Sequence, residues 1–256
     1  MTDAATDSNI VCALNSGVLR LTLNRPSKLN ALTFSMYQHL ADEICGAQEN
    51  DAVSVILING AGDNFTAGND IADFASYGVK ESLGTIEDFP VMKFLFAILE
   101  NTKPLIAAIH GHAIGVGLTL TLHCDYVLVA EGSHLKTPFL DLGLVPEAGS
   151  SILLPQLVGR RKAVEILLAG EPVTAEEAVI LGIANKVVPL KQLNKTAADY
   201  AIRLAQKPPE AMRESLKLMS VDKPILRAQM LREAETFFNR LRSSEAKEIF
   251  AKFLSK

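Results

Sequence analysis

The chain has 256 residues, of which 48% are hydrophobic and 21% are charged, and its formal net charge is -4 at pH 7. This composition excludes disorder as the dominant state, and the small negative charge disfavours nucleic-acid binding. The cysteines Cys12, Cys45 and Cys124 are far apart in the sequence, which excludes a disulfide scaffold and is typical of a reducing cytosol. Cysteine and histidine form no CxxC or HExxH cluster, so we expect no metal site.

Nothing in the sequence predicts a membrane segment. The longest apolar stretch, residues 104–122, is interrupted by His110, His112 and several glycines. The first nine residues are polar and acidic, unlike a secretory or mitochondrial signal. We therefore expect a soluble, cytoplasmic protein that binds neither membranes nor nucleic acids.

The first half of the chain alternates strand-like and helix-like segments. Residues 18–23 alternate leucine with other residues and predict a strand, and Thr33 can cap the helix that follows. Residues 53–58 and 104–109 are apolar runs of the kind found in strands buried on both faces, and residues 126–130 predict a fourth strand. Because strands that alternate with helices pair in parallel through crossovers, we expect an α/β fold.

From residue 150 onward the pattern is mostly helical. Thr174 and Glu177 have the spacing of a capping box that opens a helix. A later helix carries an apolar stripe made of Leu226, Met230, Ala234, Phe237, Phe238 and Leu241. We divide the chain into a core, residues 1–195, and a C-terminal helical region, residues 196–256. The stripe of this region could cover its own domain or a neighbouring subunit.

Two glycine-containing loops directly follow apolar strands. The first is residues 64–71 (NFTAGNDI), where Asp70 can start a helix, and the second is residues 110–117 (HGHAIGVG), which runs into a predicted helix. Glycine lets the backbone approach a ligand closely, and N–H groups at a helix start are unpaired. Each loop alone could be an ordinary tight turn. Two N–H groups that converge from separate strand ends would instead form an oxyanion hole.

Glu147 is a lone carboxylate within an apolar segment, residues 142–149 (LGLVPEAG). Pro146 and Glu147 are ordinary residues for a helix start, where a negative charge favours the helix dipole. The alternative is a partly desolvated carboxylate with raised proton affinity that acts as acid and base. The residues themselves leave both interpretations open. A serine hydrolase is disfavoured because no GxSxG motif is present.

These segments, in this order and spacing, resemble the crotonase superfamily, also called the enoyl-CoA hydratase/isomerase family. The similarity lies in residues 24–32 (NRPSKLNAL), 65–71 (FTAGNDI), 103–117 and 181–189 (LGIANKVVP). The resemblance implies a crotonase-like spiral of ββα units with a helical C-terminal region. It also implies an acyl-CoA thioester as ligand, no cofactor besides the coenzyme A of the substrate, no metal, and a homotrimer or dimer of trimers.

The resemblance also implies roles for individual residues. Family members hold the thioester oxygen with two backbone N–H groups, and Asn69 and Val116 stand at those positions. The implied substrate-binding residues are Lys28, Ala67, Gly68, Asp70, Ile71, Gly115, Gly117 and Phe139. Family hydratases activate water with two glutamates, but Thr119 and Phe139 occupy those positions here. Glu147 stands where the peroxisomal-type Δ3,Δ2-enoyl-CoA isomerases carry their single acid/base, in a segment (PEAGSS) that resembles their PEGxSS pattern.

The resemblance therefore implies an enoyl-CoA isomerase that shifts a double bond by a 1,3-proton transfer. Glu147 would move the proton, and the oxyanion hole would stabilise the dienolate. One alternative is an enoyl-CoA hydratase or another crotonase-type lyase that uses Glu147 alone. The other is a non-catalytic acyl-CoA binding protein. Acyl chain length does not follow from the sequence.

Overall fold

The computed structural model describes residues 9–77 and 85–254, whose strands form two β-sheets surrounded by helices. The strands are β1 (Ile10–Asn15), β2 (Val18–Leu23), β3 (Val55–Gly60), β4 (Leu105–Ile109), β5 (His112–Ile114), β6 (Tyr126–Ala130), β7 (His134–Lys136), β8 (Val173–Thr174) and β9 (Lys186–Val188). The larger sheet has the order β1-β2-β3-β4-β6-β9, in which β1 and β2 are antiparallel and the other neighbours are parallel. The smaller sheet has the order β5-β7-β8.

Helices cover both faces of the larger sheet and form the C-terminal part of the chain. They are α1 (Phe34–Glu49), α2 (Ile71–Tyr77), α3 (Pro90–Glu100), α4 (Val116–Thr119), α5 (Ser150–Val158), α6 (Arg160–Leu167), α7 (Ala175–Ile180), α8 (Leu193–Ala205), α9 (Pro209–Met219), α10 (Lys223–Leu241) and α11 (Ser244–Leu254). Short 3₁₀ helices include Leu120–His123, which continues α4. None of the helices in the described ranges is long and apolar enough to cross a membrane.

The predicted parallel α/β architecture is confirmed. Strands β2 and β6 have the predicted bounds, whereas β3 begins and ends two residues later than the predicted run at 53–58. Thr33 caps α1 by accepting a hydrogen bond from the Met36 N–H, and Thr174 and Glu177 form the predicted capping box of α7. Local hydrophobic spacing and cap residues therefore identify these elements correctly.

Two local expectations are wrong. The loop at 110–117 is more than a turn, because residues 112–114 form β5, a strand too short to show a hydrophobic period. Glu147 does not start a helix, since α5 begins at Ser150. The reason is the backbone between them: Ala148 and Gly149 have φ values of 59° and 71°, in the left-handed region that a right-handed helix excludes.

The core lies on both sides of the larger sheet. The central strands β3 and β4 are buried along their whole length, with α1 and α3 on one face and α8 on the other. The apolar stripe of α10 is buried within its own chain, where Phe238 meets Phe89 at a ring-centroid distance of 5.0 Å. The proposed boundary between residues 195 and 196 falls inside α8, and the division into two parts stays a prediction.

The topology explains where a site can form. Because β3 and β4 are adjacent and parallel, their carboxyl ends lie at the same edge of the sheet. The two glycine-containing loops leave from these ends and are therefore neighbours in space.

Candidate active site

Backbone hydrogen bonds join the two glycine-containing loops. The Thr66 N–H donates to the His112 carbonyl over 3.0 Å, and the Ile114 N–H donates back to the Thr66 carbonyl over 3.0 Å. Gly68, whose φ is 88°, packs so closely that a Cβ atom there would lie 2.8 Å from the Ile114 carbonyl oxygen. The two loops thus form one unit that requires glycine at position 68.

This unit presents two backbone N–H groups that form no hydrogen bond within the described part of the chain. Val116 is the first residue of α4, so its N–H has no acceptor within the helix. Neither the Asn69 nor the Val116 N–H has a hydrogen-bond partner among the described residues, whereas the neighbouring Asp70 and Gly115 N–H groups bond to the carbonyls of Leu32 and Lys136. The arrangement has the components of an oxyanion hole.

A hydrogen bond from Tyr37 of α1 fixes the side chain of Asn69. The Tyr37 hydroxyl donates a hydrogen bond to Asn69 Oδ1, and the tyrosine is completely buried. Burial, and then the charge of Glu147, raise the pKa of Tyr37 well above its usual value, so this hydroxyl stays protonated as a donor. Tyr37 therefore links one of the two loops to the neighbourhood of Glu147.

A cavity of about 480 Å³ opens beside these loops. Six residues expected at the substrate line it, namely Ala67, Gly68, Asn69, Ile71, Gly115 and Phe139. The C-terminal helices close its other side through Phe237, Phe250 and Lys252. Its volume and largely apolar wall are suited to a small-molecule ligand with a hydrocarbon chain.

Glu147 lies beside this cavity and does not line it. It borders a smaller apolar cavity of about 20 Å³, and Asn69, Phe74 and Phe237 line both cavities. Because Glu147 lines the smaller of these two cavities and not the larger, we call the smaller one the inner cavity.

The environment of Glu147 favours a carboxyl that gains and loses a proton near neutral pH. Its side chain is buried, with 7% of the residue exposed, and the Thr119 hydroxyl donates to Oε1 over 2.5 Å. Burial raises the pKa of Glu147 to about 7, with the charge of Glu233 adding to the rise and the Thr119 hydrogen bond opposing it. A pKa in this range is suited to general acid/base chemistry.

The remaining predicted residues lie outside the wall of the larger cavity. Asp70 forms a 2.6 Å ion pair with Arg25 and accepts the N–H groups that open α2. Burial would raise the pKa of Asp70, but the Arg25 hydrogen bond and the helix N–H groups lower it. Gly117 has a packing role, because a Cβ atom there would lie 2.6 Å from Thr66 Cγ2. Lys28 is exposed.

Two buried polar residues at the site, Tyr37 and Glu233, were not predicted from the sequence. The sequence does contain an indication for Glu233. It lies three residues after Met230 and four before Phe237, and therefore on the apolar face of α10. A charged residue at such a position indicates a buried polar contact. Tyr37 resembles any core residue of an amphipathic helix, and its role depends on a partner 32 positions away.

The structure also brings together three possible metal ligands that no sequence motif indicated. Ligand atoms of Cys12, His39 and Glu43 lie within 4.8 Å of one another. His39 and Glu43 are one turn apart on α1, and Cys12 comes from the adjacent strand β1. The group lines neither the larger nor the inner cavity.

The sequence profile described as enoyl-CoA hydratase/isomerase matches residues 13–256 of this chain. The chain belongs to the enoyl-CoA hydratase/isomerase family. It is 34% identical over 217 residues to enoyl-CoA delta isomerase 2 of Rattus norvegicus, a match that covers 84% of this chain and 55% of the rat protein. It is 31% identical over 251 residues to 2,3-dehydroadipyl-CoA hydratase of Escherichia coli strain K12, covering 97% and 96% of the two chains.

Solved structures agree with this assignment. Pseudomonas aeruginosa OdaA matches with a TM-score of 0.92 and 41% identity, over 97% of this chain and 99% of that one. An enoyl-CoA hydratase/isomerase from Pseudoalteromonas atlantica T6c matches with a TM-score of 0.90 and 40% identity, over 96% and 97% of the chains. The predicted crotonase-like fold and family membership are thereby confirmed. The chain is an enzyme of this family, whose named relatives include isomerases and hydratases.

Proposed function

We propose that this enzyme is a Δ3,Δ2-enoyl-CoA isomerase in which Glu147 is the single acid/base. The observation that carries the proposal is the buried Glu147 carboxyl with the Thr119 hydroxyl bonded to it over 2.5 Å. By resemblance, position 119 is where a family hydratase carries one of its two glutamates. The threonine supplies a hydrogen bond to the remaining carboxyl and no second acid/base group.

The reaction needs one proton carrier and a stabilised oxyanion. In the proposed mechanism the Glu147 carboxylate removes a proton from C2 of a 3-enoyl-CoA, and negative charge moves onto the thioester oxygen. The N–H groups of Asn69 and Val116 donate to that oxygen, and the same carboxyl returns the proton to C4, so the double bond moves from C3 to C2. A positioned acid/base contributes roughly 10²- to 10⁴-fold in rate, and removal of an oxyanion-hole donor costs roughly 10²- to 10³-fold.

The surroundings of Glu147 support proton transfer over addition of water. Phe139, at the second hydratase position by resemblance, lines the larger cavity with an apolar ring. Phe74 and Phe237 lie on both cavities, so the walls next to Glu147 are largely apolar. A dry space next to the reacting carbons keeps the dienolate from side reactions.

The substrate and assembly form part of the same proposal. Residues 67–71 would lie along the coenzyme A moiety, with Lys28 and Lys252 as candidates for its phosphates. Coenzyme A is the carrier on the substrate, and no other cofactor is proposed. We also propose a homotrimer or dimer of trimers, which light scattering on the purified protein would measure directly.

The proposed reaction is tested with two substrates. Purified protein is incubated separately with a 3-enoyl-CoA and a 2-enoyl-CoA, and products are separated by chromatography. We expect 2-enoyl-CoA from the first substrate and little 3-hydroxyacyl-CoA from the second. Steady hydration of the 2-enoyl substrate, without any shift of the double bond in the 3-enoyl one, would reject the isomerase.

The base is tested by a pair of variants in two carboxylates near the pocket. Glu147 borders the inner cavity, whereas Asp141 lines the larger one and lies 3.6 Å from Lys136. We expect Glu147→Gln to lose turnover and Asp141→Asn to keep most of it. The opposite result would transfer the role of base to Asp141.

A hydratase is the second candidate, because a relative that aligns over nearly the whole chain bears the name 2,3-dehydroadipyl-CoA hydratase. It would have to use Glu147 alone, since neither Thr119 nor Phe139 supplies a carboxylate. Product analysis from the 2-enoyl substrate separates the candidates. Binding of an acyl-CoA without any turnover would instead indicate a non-catalytic binding protein.

A further inference from the structure

The turn that carries Glu147 has an unusual backbone. Ala148 and Gly149 lie consecutively in the left-handed region, with φ of 59° and 71°. Residues with a Cβ atom rarely adopt this conformation, so surrounding contacts must hold Ala148 in place. On one side, His123 Nε2 lies 2.7 Å from the Ala148 carbonyl oxygen.

On the other side the turn is bound by one carboxylate of α10. Glu233 accepts the Gly149 N–H over 2.6 Å, the Ser151 N–H over 3.1 Å and the Ser151 hydroxyl. Gln229, one turn earlier on the same helix, donates to Ser151 Oγ over 2.9 Å. Glu233 is itself buried, with 6% of the residue exposed. A buried carboxylate with three donors from one short segment holds that segment strongly.

Apolar packing fixes the distance between the turn and α10. A Cβ atom at Gly149 would lie 2.5 Å from Leu226 Cδ1 and 3.4 Å from Met230 Cγ. Leu226 and Met230 are both buried. The turn therefore has no room to move toward α10, and the Glu233 hydrogen bonds keep it from moving away.

We propose that Glu233 is a positioning residue for Glu147: from α10 its carboxylate binds both ends of the 149–151 segment and holds the acid/base group at the inner cavity. This inference rests on the proposed role of Glu147. Glu233 does not need to touch substrate, since it acts through the backbone of the turn. The C-terminal helical region would then orient the acid/base of the core, in addition to covering the pocket.

The same carboxylate also influences Glu147 through its charge. The ionisable groups facing this part of the site are Tyr37 from α1, His123 from the 3₁₀ helix after α4, and Glu233 from α10. Burial keeps Tyr37 protonated and lowers the pKa of His123, so both favour the neutral form. Glu233 is the neighbour whose negative charge raises the pKa of Glu147. Burial raises the pKa of Glu233 itself, while its hydrogen bonds from Ser151 and Gly149 favour its ionised form.

Glu233→Gln separates this role from a merely structural one. The amide keeps one acceptor for the Gly149 N–H and removes the charge. We expect the midpoint of the acidic limb of the kcat/KM–pH profile to shift to lower pH by about half a unit to one unit, because a like charge is lost. We also expect plateau kcat to fall roughly three- to ten-fold, with KM little changed, because the turn is held less firmly. Glu235→Gln, an exposed carboxylate on the same helix, is the matched control and should match wild type.

Ser151→Ala supplies the complementary test, since it removes the two hydrogen bonds of the Ser151 hydroxyl, to Glu233 and from Gln229, and keeps the Glu233 charge. We expect a lower kcat with an unchanged acidic limb. If Glu233→Gln folds and shows both the wild-type limb and the wild-type kcat, the proposal is overturned. If Glu233→Gln does not fold, wild-type kcat in Ser151→Ala overturns it and a reduced kcat at constant KM supports it.

A measurement without substrate distinguishes failure of this inference from failure of the proposed function. ¹³C NMR of labelled glutamate carboxyl groups, with the Glu147 signal assigned through Glu147→Gln, follows the titration of Glu147 directly. A lower midpoint in Glu233→Gln than in wild type supports the positioning residue even if no enoyl-CoA is converted. Identical midpoints reject the electrostatic influence of Glu233 whatever the reaction is.

Discussion

Replacement of Glu147 by glutamine is expected to increase stability and sharply reduce turnover at the same time. Glutamine has nearly the same shape, and its carbonyl oxygen can still accept the Thr119 hydroxyl that donates to Glu147 over 2.5 Å. What it removes is a charge in a buried position. A buried carboxylate that is costly to ionise lowers stability while it serves catalysis.

The magnitude follows from the pKa of Glu147. Burial and the Glu233 charge raise this pKa from 4.5 to about 7, a difference of about 2.5 units. At 1.36 kcal/mol for each unit, ionising the folded protein costs about 3 kcal/mol more than ionising the unfolded chain. The protonated group's contribution to stability is fully present below pH 4.5 and is lost as pH rises through about 7. The variant should therefore equal wild type near pH 4.5 and exceed it by up to about 3 kcal/mol at pH 8.

The assay is urea unfolding of both proteins at pH 4.5, 6 and 8, at one fixed protein concentration. Exposed Glu235→Gln serves as the control and should show no comparable pH-dependent gain. Turnover of the 3-enoyl substrate by Glu147→Gln should fall by roughly 10²- to 10⁴-fold. Equal unfolding free energies at pH 8 would refute the assigned burial cost, and wild-type turnover would refute the assigned base.

Three further outcomes follow from the site. In Tyr37→Phe, loss of the hydroxyl that donates to Asn69 Oδ1 should cost about 1–2 kcal/mol in urea unfolding, and kcat should fall while Glu147 still titrates near pH 7. In Gly68→Ala, a Cβ atom 2.8 Å from the Ile114 carbonyl oxygen at a φ of 88° should cost about 1–3 kcal/mol and weaken acyl-CoA binding measured by calorimetry. For wild type, kcat/KM should decrease on the acid side with a midpoint at about 7, because Glu147 must be ionised to accept the C2 proton; a midpoint near 4.5 would contradict its burial.

Local sequence determined much of the scaffold. Strands β2 and β6 follow from alternating or continuous apolar residues, and α1 and α7 begin at threonine caps. These signals are local because a strand or helix shows its hydrophobic period within a few residues, and a cap bonds to an N–H three positions away. Strands of three residues such as β5 and β7 give no such period and appear only when their partners are in place.

The resemblance read from the sequence also predicted the residues of the candidate site, since Asn69, Val116 and Glu147 stand at family positions. Only the tertiary structure decided that Glu147 is buried, that the Thr119 hydroxyl donates to its carboxyl, and that Glu233 accepts a hydrogen bond from the turn after it. Glu233 lies 84 positions beyond Gly149, so no local pattern could predict that contact. The proton affinity of a carboxyl depends on the solvent and charges around it, and these are set by segments that meet only when the chain folds.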